Sequence, residues 1–207
     1  MFELTYSQIF LLIYVVSVIA YYIGTYGSVE GKHERALTER YERTSLSKAL
    51  GPIFSLTMLM WIAFSVIYFI AYESNAWIFM FELLANDFTK IVAIGIMSFS
   101  LVLSVLFVKS VGKSIKNAVN TESRPKLITT GIYHYIRHPV YTAILLGIFG
   151  TFLIIPNIIM LSFLIFMVLL LFLHSREEEK ILIQMFGEEY KDYKKKTGRF
   201  LPKLIRK

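Results

Sequence analysis

Hydrophobic residues lie in long blocks along this chain, separated by polar and charged stretches. Four blocks approach the ~20 apolar residues that a helix needs to cross a bilayer core of roughly 30 Å; they cover residues 6–24, 52–72, 88–108 and 140–174. The last block has 35 residues, which is too many for one crossing. Pro156-Asn157 divides it, because proline lacks a backbone donor and disfavours helix at the residue before it. The pattern therefore predicts five membrane-spanning helices.

The predicted fold class is all-α, an integral membrane bundle of about five transmembrane helices that ends in a helical hairpin and a polar tail. The hairpin helices contain only about 16 and 18 residues, which favours helices that are tilted or shielded by neighbours. A re-entrant hairpin is the alternative. The composition agrees with a membrane protein, since 56% of the residues are hydrophobic and the mean hydropathy is +0.57.

Basic residues predict which side of the membrane each loop occupies. With five spans and an outside N-terminus, 21 of the 22 Lys and Arg residues fall on one side, and only Lys90 does not. Loops rich in Lys and Arg are typical of the cytoplasmic face. We therefore expect the N-terminus outside and the C-terminal tail in the cytoplasm. A re-entrant hairpin would leave the tail on the same side.

Charge and cysteine content narrow the functional classes. The net charge is +7, but basic residues lie next to predicted spans and alternate with acids in the first loop, so they indicate a membrane surface rather than nucleic acid. The chain has no cysteine, which excludes disulfides, thiolate catalysis and cysteine-ligated metal; no metal site is predicted. The first block lacks a cationic start and a cleavage site, so it is expected to be a retained span.

Candidate chemistry is confined to the second half of the chain. Residues 1–108 are predicted to form three transmembrane helices with a charged loop, and residues 109–207 to form the functional core. Tyr133, Arg137 and Tyr141 are spaced by four, so a helix through them would place them on one face. Pro139 suits the first turn of the fourth span. Spacing alone also fits an interfacial aromatic belt with a snorkelling arginine.

An acidic cluster follows the hairpin. Glu177, Glu178 and Glu179 lie three to five residues beyond the apolar run, close to His174 and Arg176. Acids there could complement a helix dipole in a solvated helix start, or bind a cationic group. Charged groups at both ends of a membrane hairpin are costly unless they face each other or a ligand. The pattern therefore predicts a pocket between the two clusters.

Together, the two clusters resemble the isoprenylcysteine carboxyl methyltransferase family, membrane enzymes that use S-adenosylmethionine. The resemblance covers roughly residues 109–204. Its motifs are Lys126-Leu127-Ile128-Thr129-Thr130-Gly131-Ile132-Tyr133, Arg137-His138-Pro139-Val140-Tyr141, Glu178-Glu179, Phe186-Gly187-Glu188-Glu189-Tyr190-Lys191-Asp192-Tyr193 and Thr197-Gly198-Arg199-Phe200-Leu201-Pro202. Membrane sterol and steroid reductases have a motif similar to Arg-His-Pro-x-Tyr. The acidic pair and the tail are therefore what favours a methyltransferase.

The resemblance implies a cytoplasmic S-adenosylmethionine site and assigns residues to it. The implied cofactor-binding residues are Lys126, Leu127, Ile128, Tyr133, His138, Pro139, Val140, Tyr141 and Glu178. Counting back from Phe186 aligns the family's acidic pair with Glu178 and Glu179. The family has an arginine on the substrate side four residues before the first acid; here that position is His174, which we assign to substrate binding.

Roles for these residues follow from the chemistry of the cofactor and of an acceptor. We expect Glu178 to accept hydrogen bonds from the cofactor ammonium and His138 to contact the cofactor carboxylate. Arg137 is expected to orient a carboxylate or phosphate, because its planar fork suits either. Glu179 is the candidate proton acceptor if the acceptor is an amine or hydroxyl. These two residues are the predicted catalytic pair.

The predicted function is methyl transfer from S-adenosylmethionine to a lipophilic acceptor that enters from the bilayer, most simply the carboxylate of an isoprenylcysteine-like molecule. A phospholipid or other amine is the alternative acceptor, because phospholipid N-methyltransferases share the hairpin and the acidic pair. An NADPH-dependent membrane reductase is the alternative from another enzyme class, and a non-enzymatic scaffold is the remaining one. Membrane lipids are the other expected partners, and nucleic acid is not.

Overall fold

The computed structural model describes residues 5–28, 44–70, 81–119 and 127–203. Within these ranges the chain forms six α-helices and two short 3₁₀ helices, and its only β-pairing is one isolated bridge. The helices are α1 (Tyr6–Ser28), α2 (Ser45–Ile70), α3 (Asp87–Val119), α4 (Pro139–Ile154), α5 (Ile158–Phe186) and α6 (Glu188–Lys196). The predicted all-α class is confirmed.

Three of these helices are long and apolar enough to cross a membrane. They include the segments Ser45–Tyr68, Asp87–Ser110 and Ile158–Phe186. Two shorter apolar helical segments, Tyr6–Tyr21 and Pro139–Ile154, complete the five expected positions. The shortness of α4 agrees with the prediction that the first hairpin helix contains about 16 residues. The membrane bundle is therefore confirmed.

The turn between α4 and α5 lies at Pro156 and Asn157, as predicted. Asn157 caps α5, because its side-chain oxygen accepts a hydrogen bond from the backbone N–H of Met160 at 2.8 Å. The carbonyl of Pro156 accepts a hydrogen bond from the N–H of Phe81 at 2.7 Å, which anchors the turn to the segment before α3. These two hydrogen bonds give partners to the Met160 N–H and the Pro156 carbonyl, backbone groups that would otherwise be buried without one.

Two helices extend beyond the apolar blocks that predicted them. α3 continues to Val119, so the expected boundary at residue 108 falls inside this helix. α5 runs without interruption from the apolar region into the polar tail and ends at Phe186; the next residue, Gly187, has a φ of +56°, in the left-handed region that favours glycine. The acidic residues 177–179 are thus on the same helix as the apolar hairpin.

Small residues bring α1 and α3 close to α4. A Cβ atom added to Gly147 would overlap the hydroxyl of Tyr14, and one added to Gly150 would overlap the side chain of Met97. Tyr14 and Ser100 are joined by a hydroxyl–hydroxyl hydrogen bond of 3.0 Å. These close approaches fix α1 and α3 against the C-terminal half of α4, which leads through the hairpin turn into the apolar start of α5.

Candidate functional site

The chain turns into α4 through a short 3₁₀ helix rather than through a continuous α-helix. Residues Gly131–His134 form this turn, with φ of +65° at Gly131, and Pro139 is the first residue of α4 as expected. The sequence spacing of Tyr133, Arg137 and Tyr141 therefore does not place them on one helical face. They are positioned instead by the segment between the turn and α4.

The end of the chain pairs with this segment. Ile136 and Gly198 form a parallel bridge, and the N–H groups of Arg137 and His138 donate to the carbonyls of Gly198 at 2.9 Å and Arg199 at 3.0 Å. The hydroxyl of Thr142 donates to the carbonyl of Phe200 at 2.7 Å. The closing motif of the sequence is thus a structural part of the site.

Glu179 lies at the centre of a buried ionic cluster, which we call the Glu179 cluster (Arg137, Glu179, Lys194 and Arg199). Its side chain is 2% exposed, and its carboxylate lies 3.0 Å from Nη2 of Arg137 and 2.8 Å from Nζ of Lys194. Arg199 approaches it with Nε at 3.1 Å and Nη2 at 2.9 Å. Arg137 also donates to the carbonyls of Lys194 and Thr197. The cluster therefore ties the start of α4, α5 and the tail together.

Glu178 points to the opposite side and forms the Glu178 cluster (His138, Tyr141, His174 and Glu178). The hydroxyl of Tyr141 donates to Oε1 of Glu178 at 2.6 Å and lies 2.8 Å from Nδ1 of His174. Nδ1 of His138 is 3.3 Å from Oε2 of Glu178. The Glu178 side chain is still 38% exposed, so its carboxylate has room for a further partner.

His138 lies between the two acids. Its Nε2 is 3.5 Å from Oε1 of Glu179, and its ring stacks on Tyr141 with 5.3 Å between centroids and 4° between planes. Burial lowers the pKa of His138, but the neighbouring carboxylates of Glu178 and Glu179 outweigh burial and raise that pKa above its ordinary value. The raised pKa favours an imidazolium between two carboxylates.

A cavity of about 560 Å³ lies beside the Glu178 cluster, between α1, α2, α3, α4 and α5. Its wall is mainly apolar, and a cavity of this size and character is typical of a small-molecule site. Glu178 is the only acid among the described residues that line it, and none of those residues is Lys or Arg. Tyr141 and His174 lie beside this acid on the wall. The cavity therefore has one polar corner and an apolar body.

The structure brings four of the predicted site residues onto this wall, namely Val140, Tyr141, His174 and Glu178. His138 lies directly behind them. Arg137 and Glu179 contact each other in the Glu179 cluster and do not line the cavity. The remaining predicted residues in the described ranges, Leu127, Ile128, Tyr133 and Pro139, do not line it either. Lys126 lies outside the described residues.

Some residues of the site had no role assigned from the sequence. Arg199 and Lys194 hold Glu179, and Phe200 packs against the rings of His138 and Tyr141 at 6.2 and 6.4 Å between centroids. The closing motif in which Arg199 and Phe200 lie was the available signal. The cavity residues of α1 to α3 had no comparable signal, because isolated serines and aromatics in apolar helices fit a packed interior equally well.

The residues of the polar corner fit part of S-adenosylmethionine. This cofactor carries an ammonium and a sulfonium, and a carboxylate that is half-exposed to an apolar cavity is the group that would pair with a cation. Among the described residues, no cluster of three or more His, Asp or Glu side chains could hold a metal ion. The cavity thus offers a carboxylate for a cationic group beside an apolar space, the two environments that a membrane-bound enzyme with a cationic cofactor would need.

Comparisons with known proteins agree with this class. Residues 88–189 match the family model described as phospholipid methyltransferase. The chain is 38% identical over 94 residues to protein-S-isoprenylcysteine O-methyltransferase of Saccharomyces cerevisiae, covering 44% of this chain and 39% of that protein. It is 35% identical over 106 residues to a probable enzyme of the same name from Oryza sativa subsp. indica, covering 49% and 54%.

A third relative, methanethiol S-methyltransferase of Pseudomonas deceptionensis, is 32% identical over 77 residues, which cover 36% of this chain and 28% of that protein. The matched segments thus span about half or less of each of these relatives. Residues 88–189, just under half of the chain, thus match the phospholipid methyltransferase family model, and the chain is similar to isoprenylcysteine enzymes, as its motifs indicate.

Proposed function

We propose that this chain is an integral membrane methyltransferase that transfers a methyl group from S-adenosylmethionine to a lipophilic acceptor, the carboxylate of an isoprenylcysteine-like molecule. The observation that carries the proposal is the half-exposed carboxylate of Glu178 at the polar corner of an apolar cavity. A cationic methyl donor and a lipophilic acceptor require a carboxylate and an apolar cavity side by side. The family match and the relatives' names support the same chemistry.

Bound S-adenosylmethionine would supply an electrophilic methyl group on its sulfonium. In the proposal, Glu178 accepts hydrogen bonds from the cofactor ammonium, while Tyr141 and His138 hold the carboxylate in place. Holding the reactants in line and excluding water supply most of what a protein can contribute to such a displacement. The apolar wall excludes water, and a carboxylate acceptor gains reactivity there without needing a base.

For Arg137 and Glu179 we propose positioning roles instead of direct roles in the reaction. Glu179 is enclosed by three cationic side chains, so it is a poor proton acceptor, and the guanidinium of Arg137 is occupied by Glu179 and two carbonyls. Both lie behind His138, on the side away from the cavity. Their contribution is to hold the segment that carries His138 and Tyr141 against α5.

An amine of a phospholipid or a small lipophile is the second candidate acceptor. The specific observation in its favour is that the described part of the cavity wall offers an acid and no Lys or Arg. A protonated amine would be attracted by Glu178, whereas an acceptor carboxylate would find His174 as the only basic side chain on the described part of that wall. His174 is therefore central to the choice between acceptors.

We further propose that the site faces the cytoplasm and that the N-terminus lies outside. The support is the distribution of Lys and Arg in the sequence. The chain has no cysteine, so a single one can be introduced at Lys203. In intact cells this cysteine should not react with a membrane-impermeant maleimide, and it should react once the membrane has been permeabilised. Labelling of sealed, right-side-out cells would reverse the proposed orientation.

The cofactor proposal is tested by calorimetric titration of the purified protein with S-adenosylmethionine. Glu178→Gln should weaken binding about ten-fold or more, since a hydrogen bond to a charged group contributes about 1.5–3 kcal/mol. Glu177→Gln is the matched control, because Glu177 is adjacent in sequence but does not line the cavity. Equal affinity in the wild type and Glu178→Gln would remove Glu178 from the cofactor site.

The reaction is tested with methyl-labelled cofactor and a panel of acceptors: prenylcysteine analogues, phospholipids, lipophilic amines and thiols. Label is expected on the prenylcysteine carboxylate. Transfer only to the amines would establish the second candidate instead. Thermal stabilisation by NADPH and none by S-adenosylmethionine would favour the reductase alternative, since a ligand at 100 times its Kd adds about 2.7 kcal/mol.

A further inference from the structure

The cavity is closed at one end and open at the other. At the closed end, Tyr14, Trp61, Ser100, Ile148 and Leu171 are each 3% exposed or less. At the end near Glu178 the wall residues are half-buried or exposed, and Val105 of α3 is 50% exposed. We call the five closed-end residues the floor. An apolar chain that enters near Glu178 therefore meets the floor inside the bundle.

The floor is held by buried hydrogen bonds and close packing. Tyr14 and Ser100 share a hydrogen bond of 3.0 Å, and Ser100 also lies 2.7 Å from the carbonyl of Ala143, to which its hydroxyl can donate. Gly147 leaves the space that the hydroxyl of Tyr14 fills. The ring of Trp61 meets that of Tyr14 edge to face, with 6.3 Å between centroids. Moving Tyr14 aside would break a buried hydrogen bond, so the floor resists displacement.

Helix geometry gives the depth of the cavity. Leu171 on the floor and Glu178 at the polar corner are seven residues apart on α5, which is about 10 Å at ~1.5 Å per residue. On α2, Gly51 and Trp61 both line the cavity and are ten residues apart, or about 15 Å. An extended chain advances roughly 3.3–3.6 Å per three bonds. The depth therefore corresponds to about nine to thirteen bonds.

We propose that the floor limits the length of the apolar chain that the cavity accepts to about nine to thirteen bonds, and that Tyr14 is the specificity-determining residue. This inference rests on the proposed function only in taking the chain to be part of the methyl acceptor. The reactive end of the acceptor lies at the Glu178 end of the cavity, beside the proposed cofactor position, and the floor stops the other end. Acyl chains of ordinary bilayer lipids exceed this length and do not fit within the cavity.

The test is a binding series that does not need turnover. Straight-chain carboxylic acids of 8 to 18 carbons are titrated into the purified full chain in detergent, and binding is measured by thermal stabilisation. Each methylene buried should tighten binding about four-fold, as expected for ~0.8 kcal/mol per CH₂. The gain should stop or reverse near 10–14 carbons. Affinity that rises steadily to 18 carbons would overturn the proposal.

Variants of the wall should move this limit. Tyr14→Leu removes the phenol from the floor and should extend the longest chain bound by a few carbons. Tyr14→Phe keeps the ring and should leave the limit unchanged, and Leu11→Ala is the control for a loss of core packing on α1 away from the cavity. Ser104→Leu, partway along the wall, should shorten the limit. A limit that is the same in Tyr14→Leu and Ser104→Leu as in the wild type would refute the role of the floor.

Failure of the proposed function gives a different result. If the acids bind with a length limit that shifts in these variants but no acceptor receives a methyl group, the cavity inference stands and the methyltransferase proposal fails. If methyl transfer occurs with equal efficiency to acceptors of all chain lengths, the methyltransferase proposal stands and the length limit is overturned. The binding series and the transfer assay therefore separate the two proposals.

Discussion

Glu179→Gln tests how much the Glu179 cluster contributes to folding. The change keeps the size of the side chain and removes its charge. Arg137, Lys194 and Arg199 then face an amide in place of a carboxylate, and the Nε and Nη2 groups of Arg137 lose the strongest of their acceptors. The backbone carbonyls that also bind Arg137 are unaffected, so the guanidinium is not left without any partner.

The magnitude follows from burial. Glu179 is 2% exposed, and breaking a buried ion pair by removing one partner costs about 3–5 kcal/mol, because it leaves an uncompensated buried charge. Glu188 provides the matched comparison: it forms an ion pair of 2.6 Å with Lys191, but its side chain is 76% exposed. An exposed pair contributes about 0–1 kcal/mol. Glu188→Gln should therefore cost several-fold less than Glu179→Gln.

The assay is equilibrium unfolding of both variants in mixed micelles, with the helical signal followed as the denaturing detergent fraction increases. We expect a loss of about 3–5 kcal/mol for Glu179→Gln and less than about 1 kcal/mol for Glu188→Gln. Losses below about 1 kcal/mol in both would show that the buried charges are compensated without Glu179. The positioning role proposed for Glu179 would then have no physical basis.

Two further predictions concern other parts of the site. Glu178 and Glu179 raise the pKa of His138. The stability that His138 contributes is therefore complete below its unfolded pKa of about 6.5 and is lost as pH rises through the raised folded pKa. The unfolding midpoint should fall over that pH range, and His138→Gln should remove this part of the pH dependence. Gly187→Ala should destabilise the fold by about 1–3 kcal/mol, because φ is +56° at Gly187. Gly95→Ala should stabilise the fold by about 0.5–1 kcal/mol, because Gly95 lies inside α3 with open space for a methyl group. Calorimetric scans in which both substitutions change stability in the same direction would contradict the backbone argument.

The helices and the hairpin turn could be predicted from the sequence because apolar length and proline act locally. The division at Pro156 is an example, since the missing donor and the cap at Asn157 are properties of adjacent residues. The extension of α3 beyond residue 108 was not predicted, because hydropathy reports where a helix leaves the apolar region and not where it ends. Polar residues continue a helix as readily as apolar ones.

The candidate site was predicted in part. The resemblance selected Glu178 and Tyr141, and the structure places them in hydrogen-bond contact at 2.6 Å. The resemblance could not show which acid lies in the buried ion cluster and which lines the cavity. Consecutive residues on α5 point about 100° apart, and only the tertiary structure shows which one faces Arg199. The floor depends on contacts between α1, α3 and α4, and no local pattern encodes such contacts.

The pairing of residues 136–138 with residues 198–199 has a consequence for the order of folding. All five apolar helical segments precede residue 187 in the chain, so the tail is the last part of the site to leave the ribosome. Until Lys194 and Arg199 arrive, Glu179 lacks two of its three cationic partners. The last ten or so residues of the described chain therefore act as a closing step, because the ion pairs around Glu179 and the pairing with residues 136–138 form only once these residues are in place.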